Sequence, residues 1–348
     1  MKIHLLAQKQ AYKANMHTHT TITDGRLSPE EIKAKYVENG YSIVAFTDHE
    51  VLVPHNDLRD EGCLPITSYE VAIPASSGMG TPRSSKTYHI NLFSRDPEKT
   101  FSSAFSASRV HPKWANASAY IPKGMESFEC PKEYSVDCVN SIIEKAREEG
   151  FLVSYNHPVW SLQDLSDYAD LKGLWGVEVF NSACTVNGYV DTVQPLTDLL
   201  HHGARVFPLA TDDAHSPKDC CHGWLCVLAD RLEYADVMDA LERGDFYAST
   251  GPEIKEISLC DGILTVRTSA AVSVDLATER RFSMRRGNGV DEATEFSFDV
   301  SKYLEESKGF EKQTYLRITV CDARGYLAWS RAYFLDELEN FETEETEA

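Results

Sequence analysis

Short apolar runs alternate with helix-like segments along the first 252 residues of the chain. Runs of this kind, bounded by polar or turn-forming residues, predict strands that are buried in a sheet. The predicted strands cover residues 41–46, 64–69, 88–93, 151–155, 175–180, 204–210 and 223–229. Predicted helices lie between several of them, at about 28–39, 135–150 and 233–244. This alternation indicates an α/β fold with a mostly parallel sheet, closed or nearly closed into a barrel.

The segment from 94 to 134 interrupts the pattern, because it is rich in Ser, Ala, Pro and Lys and has little periodicity. A loop of this length inside a compact domain is usually functional or disordered. We interpret it as a lid-like insertion. Its His111, Trp114 and Tyr120 are candidates for a general acid or a stacking ring, although ordinary loop packing is the simpler interpretation.

After Gly251 and Pro252 the apolar and polar positions alternate strictly, which predicts strands with one buried face. Asp261-Gly262 lies between two such stretches and is a strong signal for a hairpin turn. Residues 253–335 are therefore predicted to form a small antiparallel β-sandwich domain, which we interpret as a packing or oligomerisation module. The last stretch, 336–348, carries seven acids and no base and predicts a solvated acidic tail.

Histidines and carboxylates recur at the ends of the predicted strands. His17 and His19 are two residues apart in an extended segment, so their side chains point the same way and can hold one ion. The full set of candidate metal ligands is His17, His19, Asp24, His49, Glu70, His89, His157, Asp213 and His215. In parallel α/β barrels the functional side chains gather at the carboxyl ends of the strands, so we expect these residues to share one pocket.

This mixture of imidazole and carboxylate donors suits zinc, manganese or iron better than magnesium or calcium. The set is too large for one ion and suffices for two or three, with Glu70 and Asp213 able to bridge. Closely spaced divalent metals produce a bridging hydroxide at neutral pH and stabilise both oxygens of an in-line displacement. The set therefore predicts metal-dependent hydrolysis of a phosphate ester, with Asp213 and His215 as catalytic candidates.

Four motifs in this order resemble those of the PHP (polymerase and histidinol phosphatase) family of phosphoesterases. They are His17-Thr18-His19 followed by Asp24-Gly25, Thr47-Asp48-His49, Asn156-His157-Pro158, and Asp213-Ala214-His215, and the resemblance covers about residues 13–250. It implies a distorted seven-stranded β/α barrel with a trinuclear metal site. By the same resemblance one metal would be held by His17, His19, Glu70 and Asp213, a second by Glu70, His89 and His157, and a third by Asp24, His49 and His215.

Five further residues are candidates for supporting roles. The resemblance implies that Asp48 and Asp212 orient the neighbouring histidines. Arg26 follows the Asp24-Gly25 turn and is a candidate for binding a phosphate, which a guanidinium can hold through two hydrogen bonds. Asn156 and Asn181 lie beside strand ends and are candidates for donating hydrogen bonds to the substrate.

Residues 247–252 and the β domain are similar to a two-domain branch of the family that includes CehA/McbA-type hydrolases and exonuclease-like members. Some members of this branch cleave carbamate or carboxyl esters, so the metal ligands alone do not fix the substrate. The first expectation is hydrolysis of a small phosphomonoester, a nucleotide or an oligonucleotide end. The alternatives are a metal-dependent carboxyl or carbamate ester or amide hydrolase, and a noncatalytic metal-bearing binding module.

The formal net charge of −20 disfavours stable binding to nucleic acid or to an anionic membrane. An anionic substrate would need cations at its site, and bound metal ions would supply them. The sequence has no apolar run long enough for a membrane span and no signal-peptide pattern, so a cytoplasmic location is expected. The nine cysteines form no CxxC pair, which favours reduced thiols. The expected partners are a small phosphorylated substrate or nucleotide and, through the β domain, a second copy of the chain.

Overall fold

A computed structural model, which describes residues 2–76, 84–190, 192–304 and 314–338, contains all seven predicted strands of the first 252 residues. The strands up to the predicted domain boundary are β1 (Lys2–His4), β2 (Gln10–Asn15), β3 (Ile43–Phe46), β4 (Leu64–Pro74), β5 (Thr87–Ser94), β6 (Phe151–Tyr155), β7 (Gly176–Asn181), β8 (Phe207–Thr211), β9 (Trp224–Ala229) and β10 (Phe246–Ser249). Strands β2 to β10 belong to one large sheet, in the order β10-β9-β2-β3-β4-β5-β6-β7-β8.

This sheet is mixed rather than mostly parallel. Strands β2, β3 and β4 are parallel to one another, as are β6, β7 and β8. Strand β5 is antiparallel to both of its neighbours, and β9 is antiparallel to β2. The antiparallel pairing of β4 and β5 extends beyond Pro74 and Thr87, since the N–H of Ala75 donates to the carbonyl of Lys86 at 2.9 Å.

The two ends of the path from β2 to β8 approach each other. A single parallel bridge joins Thr18, just after β2, to Ala214, just after β8. Strand β8 also lies against β9 and β10 without pairing with them. Because one bridge is not a ladder, the closed seven-stranded barrel stays a prediction.

Most of the helices pack against strands of this sheet, and helix ends follow the sequence signals. They are α1 (Pro29–Glu38), α2 (Val136–Glu148), α3 (Leu165–Tyr168), α4 (Ser182–Val186), α5 (Gln194–His201), α6 (Tyr234–Arg243) and α7 (Ser301–Leu304), with short 3₁₀ helices at Asn56–Leu58, Ala107–Arg109 and Ala117–Tyr120. Helix α1 begins with the predicted capping box, in which Ser28 and Glu31 each accept a hydrogen bond from the other's main-chain N–H. Helix α6 ends at Gly244 with φ at 73°, where glycine is favoured.

The strands after residue 252 are antiparallel, as predicted. They are β11 (Ile254–Cys260), β12 (Ile263–Ala271), β13 (Ser273–Ala277), β14 (Ser283–Arg286), β15 (Ala293–Asp299), β16 (Tyr315–Cys321), β17 (Leu327–Trp329) and β18 (Tyr333–Phe334). Asp261 and Gly262 both have positive φ, 49° and 77°, as a two-residue hairpin of the predicted kind requires. Strands of the large sheet and of a second, four-stranded sheet contribute to one hydrophobic cluster, which includes Ile257, Leu264 and Ile318. The β-sandwich itself stays a prediction.

Two pairings link the regions on either side of residue 252. Strand β1, from the N-terminus, pairs with β11 in the sheet β1-β11-β12-β15. Strand β17 pairs with β10, so that the large sheet continues into β16, β13 and β14. Of the predicted acidic tail 336–348, Asp336 and Glu337 form ion pairs with Arg205, and residues 339–348 lie outside the described residues.

No helix in the described part of the chain has the length and apolar character that crossing a bilayer requires. All nine cysteines are free thiols, as the sequence predicted.

Candidate metal centre

The nine predicted ligands come together at one end of the large sheet. Four groups have donor atoms within 4.8 Å of one another: His19, Asp24, His49 and His215; His17, His19 and Glu70; His17, His157 and Asp213; and His49, Glu70 and His89. Neighbouring groups share a residue, so that the groups form one continuous cluster. The resemblance implies that Asp24, His49 and His215 hold one metal, and the first of the four groups contains these three residues together with His19. The other three groups share members with the two remaining sets that the resemblance implies.

The mixed sheet explains how residues from different parts of their strands meet. His17, His49 and His157 follow the carboxyl ends of β2, β3 and β6. Glu70 lies within β4, which continues to Pro74, and His89 lies near the beginning of β5. Because β5 is antiparallel to β4 and β6, its beginning lies at their carboxyl ends.

Main-chain hydrogen bonds hold the first and last motifs side by side. The N–H of Asp213 donates to the carbonyl of His17 at 2.9 Å, and the N–H of His19 donates to the carbonyl of Ala214 at 3.0 Å. Thr18 and Ala214 form a parallel bridge between the two segments. The pairing therefore places His17 and His19 against Asp213.

The Asp24-Gly25 turn is set by a close approach between two stretches of main chain. A Cβ atom built on Gly25 would lie 2.4 Å from the carbonyl oxygen of His19, a distance that side chains do not tolerate. The N–H of Gly25 donates to the carbonyl of Thr20 at 2.9 Å. Glycine at this position thus lets the chain fold back and bring Asp24 to the histidines.

Two of the candidate ligands have an unusual backbone conformation. His157 has φ at 28° and Asp213 has φ at 50°, both in the region that favours glycine. Residues held this way cost about 1–3 kcal/mol each and cluster at functional sites. The residue after His49, Glu50, also has a positive φ of 62°.

Glu70 and Asp213 lie at the middle of the cluster, where the sequence predicted bridging ligands. Glu70 Oε1 is 3.1 Å from His89 Nδ1, and Glu70 Oε2 is 3.0 Å from His49 Nδ1. Asp213 Oδ1 is 3.1 Å from His17 Nε2 and 3.0 Å from His19 Nε2. Each carboxylate thus faces more than one imidazole.

Asp24 and His215 form the open side of the cluster. Their side chains are 37% and 36% exposed, whereas those of His17, His19 and Glu70 are buried. His215 Nδ1 contacts the carbonyl oxygen of Asp213 at 2.8 Å, which directs Nε2 toward Asp24 Oδ1, 3.7 Å away. A substrate would therefore reach the cluster from this side.

Glu178 belongs to the site, although the sequence patterns did not predict it. It is buried on β7, and its Oε1 lies 2.7 Å from His17 Nδ1, while Oε2 accepts a hydrogen bond from the N–H of His157 at 2.9 Å. Thr211 also donates to Oε1, at 2.7 Å. A carboxylate on the outer nitrogen of a ligand histidine fixes its orientation and raises its basicity. The signal in the sequence was a single acid inside the apolar run 175–180.

Asn156 and Asn181, the asparagines that the sequence suggested for substrate binding, already form hydrogen bonds within the protein. Asn156 donates from Nδ2 to Glu70 Oε1 at 2.8 Å, and its Oδ1 accepts from Ser154. Asn181 donates from Nδ2 to Glu178 and to Asp213 Oδ2, and its Oδ1 caps helix α4. Both amides therefore hold the carboxylates of the cluster in place.

Asp48 and Asp212 hold loops rather than histidine rings in the described hydrogen bonds. Asp48 accepts from the N–H and hydroxyl of Thr20 and from the hydroxyl of Thr23, which fixes the segment after His19. Asp212 accepts from Tyr36 and from the N–H groups of residues 221–223. Arg26 is exposed, and its N–H donates to the carbonyl of His215, which places it beside the open side.

The charges in the cluster compensate one another. Burial works against a charged His17, but Asp213, Glu70 and Glu178 outweigh it and raise the pKa of that ring well above its ordinary value. Burial also opposes ionisation of Glu70 and Asp213, yet the surrounding histidines hold the pKa of each carboxyl well below its usual range. For His19, burial and the nearby imidazoles together lower the pKa to about 4. Cations are thus favoured beside the carboxylates.

The donors present fit divalent transition metals. His19 Nδ1 is buried and has no hydrogen-bond partner in the described structure, although buried polar atoms are normally satisfied. Imidazole nitrogens of this kind beside shared carboxylates are donors that zinc, manganese or iron accept. The residues present therefore fit divalent metal ions.

The insertion 94–134 packs against the open side of the site. Trp114 stacks on the His49 ring, with centroids 5.3 Å apart and planes 10° from parallel. Asn116 Nδ2 donates to the carbonyl of Thr21 at 2.7 Å. Ala117 packs with Ile22 in a small hydrophobic cluster. The insertion therefore lies against the loop that carries Asp24.

No protein-family model and no curated protein matches the chain. Among solved structures, it is similar to a two-domain protein from Bacteroides vulgatus that contains a predicted PHP-like metal-dependent phosphoesterase, with 14% identity over 94% of this chain and 96% of that one and a TM-score of 0.42. A proposed metal-dependent phosphoesterase from Bifidobacterium adolescentis has 16% identity over 67% of this chain and 96% of that one, with a TM-score of 0.39. An amidohydrolase from Chromobacterium violaceum has 14% identity over 59% and 88%, with a TM-score of 0.36.

The first of these structures carries the family name that the sequence motifs predicted, and the CehA/McbA subtype stays a prediction. Because the identities and TM-scores are low, the function has to be inferred from the side chains of this chain.

Proposed function

We propose that this protein is a metal-dependent hydrolase that cleaves a small phosphate ester, such as a phosphomonoester, a nucleotide or an oligonucleotide end. The observation that carries the proposal is the convergence of nine imidazole and carboxylate donors from distant parts of the chain. A purely structural cluster of this size would bury several charges, and taking each charge out of water costs several kcal/mol even when it is paired.

Two or three zinc, manganese or iron ions would be held by the four groups of donors, with Glu70 and Asp213 between them. Bound divalent ions supply activation of water and neutralisation of the charge that develops on phosphorus. Glu178, Asn156 and Asn181 keep the donors in position through the hydrogen bonds described above.

The open side of the cluster provides the residues that meet the substrate. Asp24 and His215 are the half-exposed members, and Arg26 lies beside His215 with its guanidinium in solvent. That guanidinium would bind a nonbridging phosphate oxygen. Trp114 covers His49 and would limit the access of water from that direction.

The test compares the metal-loaded protein with Asp213→Asn and His215→Ala variants in turnover of 4-nitrophenyl phosphate and bis(4-nitrophenyl) phosphate. We expect kcat/KM to fall by about a hundredfold or more, because small misplacements of reacting groups have effects of this size. Asp230→Asn and His202→Ala, at exposed positions away from the cluster, are the matched controls and should keep the wild-type rate. Equal rates in the wild type and both site variants would refute the proposal.

A second candidate is a carboxyl or carbamate ester or amide hydrolase that uses the same ions. One observation favours it: none of the described ion pairs joins Asp24, Glu70 or Asp213 to an arginine or lysine. A phosphate dianion needs more positive charge than a neutral ester does. Turnover of 4-nitrophenyl acetate and a nitrophenyl carbamate at rates above those of the phosphates would select this candidate.

A further inference from the structure

Two tryptophans from different loops contact the histidines of the candidate centre. Trp114, in the insertion, stacks on His49 as described above. Trp160, which follows β6, lies with its ring centroid 5.0 Å from that of His157 and 5.5 Å from that of His89. The proposed hydrolytic chemistry, on which this inference rests, has no need of either ring.

Contacts with the rest of the insertion and with the loops that carry the candidate ligands hold Trp114 in position. Its N–H donates to the carbonyl of His111 at 2.9 Å, and its carbonyl accepts from the N–H of Ala117 at 3.1 Å. Its ring packs against the apolar cluster that includes Ile22 and Val53. The ring is therefore held in place beside the metal ligands.

Trp160 stands in a tight turn and is exposed. The N–H of Ser161 donates to the carbonyl of His157 at 3.1 Å, and the N–H of Gln163 donates to the carbonyl of Pro158 at 3.0 Å. Trp160 is 38% exposed, and the neighbouring Leu162 and Leu165 are each 46% exposed. Trp160 therefore offers part of its ring to solvent beside two candidate ligand histidines, where a bound molecule can contact it.

Two lysines near the site are paired with carboxylates. Lys132 pairs with Glu50, and Lys86 pairs with Asp164 and Asp167. Arg26 alone among the residues named at the open side offers a guanidinium to solvent. The surroundings of the centre therefore offer aromatic and apolar surface to a ligand more than they offer positive charge.

We infer that the substrate carries a planar aromatic group beside the scissile ester bond, and that Trp114 and Trp160 bind this group while the metal ligands face the ester. Tryptophan rings favour such ligands because offset stacking and edge contacts add to the burial of a flat apolar surface. A simple aryl group and a nucleobase share this chemistry. The two tryptophans are thus specificity-determining residues for the proposed reaction.

The experiment measures binding of nonhydrolysable probes to the metal-loaded protein by calorimetry, which does not depend on turnover. The probes are 1-naphthylphosphonate, methylphosphonate and adenosine 5′-methylenediphosphonate. We expect the naphthyl or the adenosine probe to bind at least tenfold more tightly than the methyl probe, and the stronger of the two identifies the aryl or nucleobase source. Equal dissociation constants for all three probes would overturn the inference.

Substitutions assign this preference to the tryptophans. Trp160→Ala and Trp114→Ala should weaken binding of the aromatic probe about tenfold and leave methylphosphonate unchanged, whereas Trp160→Phe and Trp114→Phe should restore most of it. Tyr326→Ala removes another exposed aromatic ring, from the turn before β17, and is the control. Metal content is measured for each variant, so that a loss of metal is distinguished from a loss of the aromatic contact.

The two proposals fail separately. Tight, tryptophan-dependent binding of the aromatic probe without turnover of any phosphate ester supports this inference and counts against phosphoesterase activity. Turnover of phosphate esters with no aromatic preference supports the proposed function and overturns this inference.

Discussion

A buried ion pair connects the insertion to the metal centre and allows a quantitative prediction. Lys132, at the end of the insertion, pairs with Glu50, the residue after His49, and both side chains are 2% exposed. Glu50 Oε1 accepts a hydrogen bond from the N–H of Ala72 at 3.1 Å, and the N–H of Glu50 donates to the carbonyl of Glu70 at 2.8 Å. The pair therefore fastens the insertion to the strand that carries the central carboxylate.

The substitution Lys132→Met keeps most of the side-chain volume and removes the ammonium. It leaves Glu50 as a buried carboxylate with one main-chain donor, and breaking a buried pair in this way costs about 3–5 kcal/mol. An unfolding entropy of about 2.1 cal/mol/K per residue gives roughly 0.7 kcal/mol/K for a chain of 348 residues. We therefore expect the Tm to fall by about 4–7 °C.

The assay is thermal unfolding followed by circular dichroism at a fixed metal concentration. The double variant Lys132→Met, Glu50→Gln should recover part of the loss, because the unpaired charge is gone. Lys9→Met breaks an exposed pair with Asp230 and should leave the Tm at the wild-type value, since exposed pairs contribute little. The reasoning is refuted if Lys132→Met melts with the wild type, or if the double variant is less stable than the single one.

Three further predictions concern the metals. Metal binding should release protons near pH 7, because Asp213 and other carboxylates raise the pKa values of His17, His157 and His215, and protons and metals compete for the same nitrogens. The affinity for metal should therefore fall as the pH is lowered. Calorimetry in buffers of different ionisation enthalpy measures the proton release, and a binding enthalpy that does not depend on the buffer would contradict it. Removal of the metals with a chelator should lower the Tm, since a ligand at a hundred times its Kd stabilises the folded state by about 2.7 kcal/mol; an unchanged melting curve would contradict metal binding to the folded chain. Glu178→Gln should weaken metal binding by about 10–100-fold with the fold preserved, because the glutamate orients His17. Competition with a chelating dye measures the metal affinity, and Glu253→Gln is the control at an exposed position. Equal metal affinities of the two variants would show that Glu178 does not support the site.

Sequence patterns predicted the positions of the strands well because apolar runs and turn residues are local signals. The antiparallel direction of β5 was not predicted. The direction of a strand depends on how the connection before it folds, and the periodicity of apolar residues does not indicate that direction. This direction matters for the site, because it places His89 beside Glu70.

The ligands are easier to recognise in the sequence than the residues that support them. Histidines and acids stand out at the ends of apolar strands, so the amino-acid pattern alone identifies all nine candidate donors. Glu178 does not stand out, because one acid inside a strand also fits an exposed face. The hydrogen bonds of Asn156 and Asn181 depend on which residues of other strands lie opposite them, and no local pattern reports that.

The pairing of β1 with β11 has a consequence for how the chain is made. During synthesis Lys2–His4 leave the ribosome long before their partner strand, Ile254–Cys260, has been made. Until then β1 has unpaired main-chain groups, as does the edge of β10 that later pairs with β17, and such groups can associate with other chains. A fragment ending at residue 252 would keep these groups unpaired, so we expect it to aggregate more than a chain that includes residues 253–338.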